Sequence, residues 1–262
     1  MLISSRSNPK IKQVRALRQR KERQETGLFL VEGIRPVGEA AQAGAAIDSI
    51  YYAPDLLDSD FARRLVAEQS NRGVACYATS VEVFDSLADK ENPQGILAVV
   101  RQPAQSLQDL SPQEFPWGVA LVAPQDPGNV GTILRTIDAV GASGLLLLDS
   151  SVDPYHPSSV RASMGTIFWL PVVAATFTEF TAWAARHAYH LYGTSAHESL
   201  DYRQMPAYPR PAILLMGSER EGLTADQRAA CEQLIGLPMR GRATSLNLAV
   251  ATGVMLYTML EG

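Results

Sequence analysis

Cysteine, histidine and long apolar runs are scarce in this chain of 262 residues. The two cysteines, Cys76 and Cys231, are too few for a disulfide framework, and the N-terminus lacks the apolar stretch of a signal peptide. The longest apolar run, residues 246–260, is interrupted by polar residues and is shorter than the roughly 20 residues that span a bilayer. These absences favour a cytoplasmic protein that is not anchored in a membrane.

Several site motifs are also missing. The sequence has no G-x-G-x-x-G of dinucleotide-binding folds, no Gly-Lys-Ser/Thr of a P-loop and no G-x-S-x-G. A G-x-x-G at Gly128 and Gly131 gives only weak support to an NAD-linked dehydrogenase, which stays as an alternative. His187 and His190 are three residues apart without a nearby acid or thiol in the sequence, so we expect no metal site.

Positive charge is concentrated at the N-terminus, although the net charge of the chain is −4. Residues 1–23 hold eight basic side chains and one acid, so this segment carries +7 and the remainder −11. Ile11, Val14 and Leu17 recur at helical spacing, which predicts an amphipathic helix with a buried stripe and a basic remainder. Such a face suits a nucleic-acid backbone, but a membrane surface or solubility explains it too. Its basic residues are Arg6, Lys10, Lys12, Arg15, Arg18, Arg20, Lys21 and Arg23.

Alternating strand and helix patterns predict a small α/β domain in residues 1–105. The strands are expected at 28–33, 47–53, 74–79 and 95–102, and the helices at 36–44, 62–73 and 81–89. From residue 103 to residue 116 the sequence mixes Pro, Ser and Gln with little periodicity, which is typical of a linker. We place that linker at residues 106–116.

A new series of apolar strands begins in residues 117–262. Strands are expected at 118–124, 145–149, 170–175, 190–195, 212–219 and 235–239, with helices after 125, at 177–188, at 224–233 and at the C-terminus. Continuous apolar strands separated by helices imply an α/β fold with a mostly parallel sheet and helices on both faces. Ligands of such sheets bind beside the carboxyl ends of the strands, so the loops there are the expected site.

Three stretches in this half resemble the signature motifs of the SpoU/TrmH family of RNA ribose 2′-O-methyltransferases, in the SPOUT superfamily. They are NVGTILRTIDAVGASGLLLLD (129–149), LLMGSEREGL (214–223) and LPMRGRATSLNLAVA (237–251). The intervening DPYHPSSVRASMGTIFWLPV (153–172) is similar to that family's segment between its first two motifs. ERQETGLFLVEG and NPQGILAVV resemble its substrate-binding domain, which is similar to certain ribosomal proteins. The resemblance covers nearly the whole chain.

The resemblance implies S-adenosyl-L-methionine as methyl donor, a deep trefoil knot and a homodimer formed through the catalytic domain. It implies structured RNA as the substrate, 23S rRNA in preference to tRNA, because family members without an N-terminal domain tend to act on tRNA. A non-catalytic RNA-binding or ribosome-assembly factor with the same fold is the alternative. The cofactor-binding residues that it implies are Gly217, Ser218, Glu219, Gly222, Leu237, Pro238, Met239, Ser245 and Leu246.

The catalytic residues implied by the resemblance are Asn129, Arg135, Glu219, Ser245 and Asn247. Arg135 lies off the apolar stripe of its predicted helix, and its alternative role is a solvated surface charge. The family proposal makes this arginine a general base. A guanidinium keeps its proton, however, so orienting a phosphate or stabilising an oxyanion suits it better.

Two further positions have competing explanations. Arg161 is a candidate contact to RNA or to a second subunit, or else half of an ordinary salt bridge, and Ser158 stands where the family usually has lysine. At the start of the last helix, Thr244 or Ser245 is the expected N-cap. Asn247 is a poor helix former, so we expect its amide to have a partner. The glycines from Gly217 to Gly222 either admit a flat ring or only permit tight turns.

Overall fold

The structure is a computed structural model that describes residues 2–89, 92–195 and 200–261. It divides the chain into two units, Met1–Pro103 with Tyr155–Trp169, and Ala104–Pro154 with Leu170–Gly262. Among the described residues, no helix combines the length and the apolar character that crossing a membrane requires. The domain bounds given by the sequence, 1–105 and 117–262, stay a prediction about independent folding.

The first unit is built on a mixed sheet of five strands in the order β1-β4-β3-β5-β2. The strands are β1 (Leu2–Ile3), β2 (Leu28–Glu32), β3 (Ile47–Tyr52), β4 (Ala75–Thr79) and β5 (Ile96–Arg101). The helices are α1 (Pro9–Ala16), α2 (Arg20–Thr26), α3 (Ile34–Gln42), α4 (Asp60–Asn71) and α5 (Val81–Asp85). β5 is antiparallel to both β2 and β3 and is almost fully buried, as its run of Ile, Leu and Val predicts.

The basic N-terminal segment forms two helices instead of one. Ile11, Val14 and Leu17 are buried as predicted, but the chain becomes extended at Gln19 and a second helix begins at Arg20. Arg23 is only 2% exposed, and its guanidinium donates to the carbonyl oxygens of Leu17 at 2.7 Å and of Arg18 at 2.8 Å. The assignment of Arg23 to an RNA-contacting face is therefore wrong, because this side chain satisfies the carbonyls of the turn between the helices.

The second unit contains a sheet of seven strands in the order β10-β12-β9-β11-β6-β7-β8, and every pairing is parallel. This confirms the predicted parallel sheet. Its strands are β6 (Trp117–Val122), β7 (Leu145–Leu148), β8 (Val172–Ala175), β9 (His190–Thr194), β10 (Leu200–Asp201), β11 (Ala212–Met216) and β12 (Gln233–Gly236). The further α-helices among the described residues are α6 (Pro127–Ala139), α8 (Phe177–Arg186), α9 (Ala225–Ala229) and α10 (Leu248–Glu261), together with α7 (Pro157–Ser163), which belongs to the first unit.

Part of the predicted linker is packed into the core of the second unit. Leu107, Leu110 and Phe115 are buried in the same cluster as strand and helix residues. The Tyr189 hydroxyl donates to the Phe115 carbonyl at 2.7 Å, and the burial of this hydroxyl raises the pKa of Tyr189 to about 12. Residues 104–116 thus belong to the fold of the second unit, because their widely spaced apolar side chains are used for packing.

Residues 155–169, which follow the first signature stretch in the sequence, pack within the first unit. The ring of Phe29 in β2 lies 4.7 Å from that of Tyr155 and 6.4 Å from that of Phe168, measured between centroids. Gly165 has a φ of +99°, and a Cβ there would lie 2.2 Å from Oε2 of Glu39 in α3. Any other residue at 165 would therefore be strained by this φ and would also displace the Glu39 carboxylate.

Candidate active site

The loops with the signature residues follow β6, β11 and β12, which lie together with β9 as four neighbouring strands of the parallel sheet. β12, β9, β11 and β6 lie side by side, and parallel strands all end at the same edge. The loops after these strands therefore converge, although up to about a hundred residues separate them in the sequence. This is the position that the sequence predicts for a ligand.

A cavity of about 400 Å³ lies among these loops, within the usual range for small-molecule sites. It brings together eight of the nine residues implied to bind a cofactor: Gly217, Ser218, Glu219, Gly222, Leu237, Met239, Ser245 and Leu246. Pro238 is exposed and does not line it. The sequence reasoning missed several other lining residues: Thr194, Ser195, Arg220, Arg228, Ile235, Leu248, Ala251 and Met255. Helical spacing could have identified the last three, since they lie on one face of α10.

The glycines of the 217–222 turn serve close backbone packing. A Cβ on Gly217 would lie 2.2 Å from the carbonyl carbon of Gly222 and 2.5 Å from the amide nitrogen of Leu223. Ser218 and Gly222 exchange backbone hydrogen bonds of 3.1 and 3.0 Å, and Gly222 has a φ of +67°. At Gly222 a Cβ would meet nothing within 4 Å, so this part of the cavity wall is open to a ligand. Close backbone packing in the turn therefore explains the glycine at 217, whereas the glycine at 222 borders open space in the cavity.

Three of the five implied catalytic residues form one hydrogen-bonded chain. The Asn129 amide nitrogen donates to Oε1 of Glu219 at 3.3 Å, and Asn247 donates to Oδ1 of Asn129 at 3.0 Å. Glu219 also accepts from the backbone nitrogen of Gln125, at 3.2 Å for Oε2. The chain therefore joins the loop after β6, the loop after β11 and the start of α10. Asn129 is 8% exposed, which makes these bonds costly to lose.

Asn247 itself caps the last helix. Its Oδ1 accepts from the backbone nitrogens of Ala249 at 2.9 Å and of Val250 at 3.3 Å. The expectation that Thr244 or Ser245 would be the cap is wrong, because α10 begins later, at Leu248. Both hydroxyl residues line the cavity instead. The expected amide partner exists: the capping side chain also binds Asn129.

Arg135 is exposed on α6 and does not line the cavity formed by the described residues. It follows Asn129 by six residues, or about 9 Å along the helix axis. The predicted apolar stripe of this helix is buried at every position, Val130, Ile133, Leu134, Ile137 and Val140. Arg135 therefore stands outside the hydrogen-bonded chain and faces solvent.

Arg161 belongs to the first unit and has an acidic partner there. Its guanidinium lies 2.6 Å from Oδ2 of Asp89 and also donates to the Ser158 hydroxyl at 3.4 Å. The salt bridge that the sequence offered as an alternative is therefore present, and the contact of Arg161 to RNA or to a second subunit stays a prediction. Its partner Asp89 is fixed in turn, since its backbone nitrogen donates to Glu32 at 2.8 Å.

Two side chains outside the cavity, Asp201 and His190, also have assigned partners. The guanidinium of Arg203 hydrogen-bonds the carboxylate of Asp201 and lowers its pKa to about 2, and Arg240 contributes in the same direction. His190 lies with Nδ1 2.6 Å from Oε2 of Glu232, an acid that its sequence neighbourhood does not reveal. In the part of the chain that the structure describes, no three His, Cys, Asp or Glu residues form a metal-binding group.

Comparison with known proteins gives consistent matches for both halves. Residues 116–257 match the model of the SpoU rRNA Methylase family, and residues 8–98 match the MRM3-like substrate binding domain. A 23S rRNA (uridine(2479)-2′-O)-methyltransferase from Streptomyces viridochromogenes is 35% identical over 263 residues, which cover 97% of this chain and 90% of the relative. The 23S rRNA (guanosine(2553)-2′-O)-methyltransferase RlmP from Bacillus subtilis is 31% identical over 256 residues, 97% of each chain. A crystal structure of AdoMet-bound rRNA methyltransferase from Sinorhizobium meliloti superposes with a TM-score of 0.90 and 36% identity, covering 100% of this chain and 97% of that one.

Proposed function

Because the chain belongs to the SpoU rRNA methylase family, we propose that it transfers a methyl group from S-adenosyl-L-methionine to a ribose 2′-hydroxyl of 23S rRNA. The observation that carries this proposal is the hydrogen-bonded series Glu219–Asn129–Asn247, which joins three signature loops beside one cavity. The relatives named above, two 23S rRNA 2′-O-methyltransferases, support rRNA as the substrate.

The cavity fits a molecule with an apolar flat part and polar ends. Leu237, Met239 and Leu246 provide apolar surface in its lining, and Ser218 and Ser245 provide hydroxyl groups. When bound, S-adenosyl-L-methionine supplies an electrophilic methyl group carried by a sulfonium sulfur. The protein residues hold that group in line with the attacking oxygen, which is the main requirement of this reaction. The turn at Gly222 leaves room for the ring.

The five implied catalytic residues divide into three groups. Asn129, Glu219 and Asn247 are positioning residues, since they bind one another and the loop backbone. Ser245 lines the cavity and is placed to hydrogen-bond the reacting groups. Arg135 meets the RNA from the solvent side, where its planar guanidinium orients a phosphate or stabilises the developing negative charge on the 2′-oxygen.

Methylation of 23S rRNA from a strain without the gene tests this function. With tritium-labelled S-adenosyl-L-methionine, we expect wild-type protein to label the RNA, and Arg135→Ala to lose about 10²-fold or more in rate. Arg186→Ala, at the exposed end of α8, is the matched control and should be as active as wild type. An inactive wild-type protein would contradict the function, and equal labelling by Arg135→Ala would remove this arginine from the mechanism.

The first unit is proposed to bind the RNA. Seven of the eight basic residues in its N-terminal segment remain outside the core: Arg6, Lys10, Lys12, Arg15, Arg18, Arg20 and Lys21. Most of those with assigned partners donate to neutral oxygens; for example, Lys10 donates to the Tyr77 hydroxyl at 2.9 Å and Arg6 to the Glu82 carbonyl at 3.0 Å. Neutral acceptors leave the positive charge uncompensated, which favours a polyanion.

A homodimer formed through the second unit is also part of the proposal. Val250, Val254, Tyr257 and Leu260 are exposed large apolar side chains on one face of α10, with Val250 at 54% and Tyr257 at 52%. A contiguous apolar face of this kind is typical of an interface. We place the protein in the cytoplasm, where bacterial 23S rRNA is found, and the trefoil knot stays a prediction from the family resemblance.

A further inference from the structure

The basic residues of the second unit are concentrated at the cavity. This unit has no lysine, and its basic side chains are eight arginines against fourteen acids. Arg220 and Arg228 line the cavity, while Arg240 and Arg242 lie in the loop from 237 to 247. Half of the arginines in an acidic unit are therefore close to one opening.

The path of the 237–247 loop places Arg240 and Arg242 at the rim of the cavity. Leu237 and Met239 line the cavity before the two arginines, and Thr244 lines it again after them. The residues between, 240–242, are exposed and do not line the cavity. A Cβ on Gly241 would meet nothing within 4 Å, so the outer turn of the loop projects into open space.

Arg242 has an unused guanidinium. Among the described residues it makes neither a hydrogen bond nor an ion pair, whereas Arg35, Arg63 and Arg161 in the first unit each pair with an acid. The positive charge of Arg240 contributes to the lowered pKa of Asp201, whose carboxylate already binds Arg203. Two acids line the cavity, Glu219 and Glu221. Glu219 already accepts hydrogen bonds from Gln125 and Asn129.

We propose that Arg242, assisted by Arg240, binds RNA phosphates next to the ribose that enters the cavity. This inference rests on the proposed function and adds a substrate contact to it. Every internal ribose in RNA is flanked by two phosphates, so a 2′-hydroxyl brought to the cavity carries phosphates to its rim. Arginine presents a planar fork of donors that matches phosphate oxygens in a bidentate arrangement.

The contact is to the backbone, and it therefore positions the RNA without selecting the base. An anchor beside the target nucleotide holds it equally before and during methyl transfer. Such an interaction lowers KM for RNA more than it changes kcat. The cofactor carboxylate is the competing anion, but Arg220 and Arg228 line the cavity itself and are placed to meet it, while Arg242 is not.

Steady-state methylation and filter binding with 23S rRNA from a strain without the gene test the inference. For Arg242→Ala we expect KM and Kd for RNA to rise about three- to tenfold, with kcat changed less than about twofold. The slope of log Kd against log salt should become shallower by about 0.7 to 0.9, the value of one lost phosphate contact. Arg242→Lys keeps the charge and loses the fork, so it should fall between wild type and alanine. Arg186→Ala should match wild type in all measurements.

Calorimetry with S-adenosyl-L-methionine separates the two anions and shows that each variant is folded. Unchanged cofactor affinity in Arg242→Ala, together with weaker RNA binding, is the expected result. Weaker cofactor affinity, or RNA binding and a salt slope equal to wild type, would overturn the assignment of Arg242 to RNA while leaving the proposed function intact. A wild-type protein that neither binds nor methylates this RNA would overturn both.

Discussion

At the scale of single residues, Asn129 connects the site because both ends of its amide are used. The nitrogen donates to Glu219 and the oxygen accepts from Asn247, 118 positions further along the chain. An aspartate has the same shape but lacks the donor. Substituting aspartate for Asn129 therefore tests the hydrogen bond donated by the amide without changing the shape of the side chain.

Asn129→Asp should loosen the three loops. The substitution places a second carboxylate oxygen opposite Oε1 of Glu219, across what is a 3.3 Å hydrogen bond in the native protein. We expect the free energy of unfolding to fall by about 1–3 kcal/mol, measured by urea denaturation, and calorimetric affinity for S-adenosyl-L-methionine to fall with it. Asn92→Asp, at an exposed position outside any helix or strand, should alter stability by less than about 0.5 kcal/mol. Native-like cofactor affinity in Asn129→Asp would contradict the positioning role.

Cys231 should react slowly with alkylating reagents. Its thiol donates to the Gln227 carbonyl at 3.2 Å, and burial raises its pKa to about 11. The thiolate is the reactive form, so at pH 8 we expect alkylation by iodoacetamide to be roughly 100-fold slower than in the urea-unfolded protein. The rate in the native protein should keep rising with pH up to about 11. Mass spectrometry of the alkylated peptide measures both, and similar native and unfolded rates would contradict the burial.

At the scale of elements, α10 depends on a cap that also belongs to the site. Asn247→Ala removes the acceptor for two backbone N–H groups, whereas Asn247→Ser retains a capping oxygen. By thermal denaturation we expect the alanine variant to be about 1 kcal/mol less stable than the serine variant. Both variants lose the bond to Asn129, so both should bind S-adenosyl-L-methionine more weakly than wild type. Equal stability of the two variants would show that the cap contributes little.

The sequence predicts most helices and strands because their apolar residues follow the period of each element. Ile11, Val14 and Leu17 are an example, and the stripe of α6 is another. The predictions fail where a distant partner decides the role of a residue. Arg23 satisfies carbonyls of a turn, and Leu107 packs in a core beyond its own segment. Likewise, no local pattern reveals that Asn247 is bound to Asn129, whereas the resemblance to family motifs identified both residues.

At the scale of the whole molecule, the exposed apolar face of α10 predicts the state of assembly. Val254→Lys places a charge in the middle of that face, where burial against a second subunit would be strongly unfavourable. We expect sedimentation velocity to show a dimer for wild type and a monomer for this variant. Leu2→Lys, at an exposed apolar position of the first unit, should remain dimeric. A monomeric wild-type protein would contradict the proposed interface.

Because residues 155–169 belong to the first unit, the polypeptide crosses between the two units three times. A truncation at the predicted linker, residues 106–116, would consequently remove packing contacts from both fragments. An isolated 1–105 fragment would uncover the ring of Phe29, and an isolated 117–262 fragment would carry the apolar side chains Tyr155 and Val160 without their neighbours. Chimaeras that exchange the first unit between relatives therefore need two exchanged segments, the second one ending at Trp169.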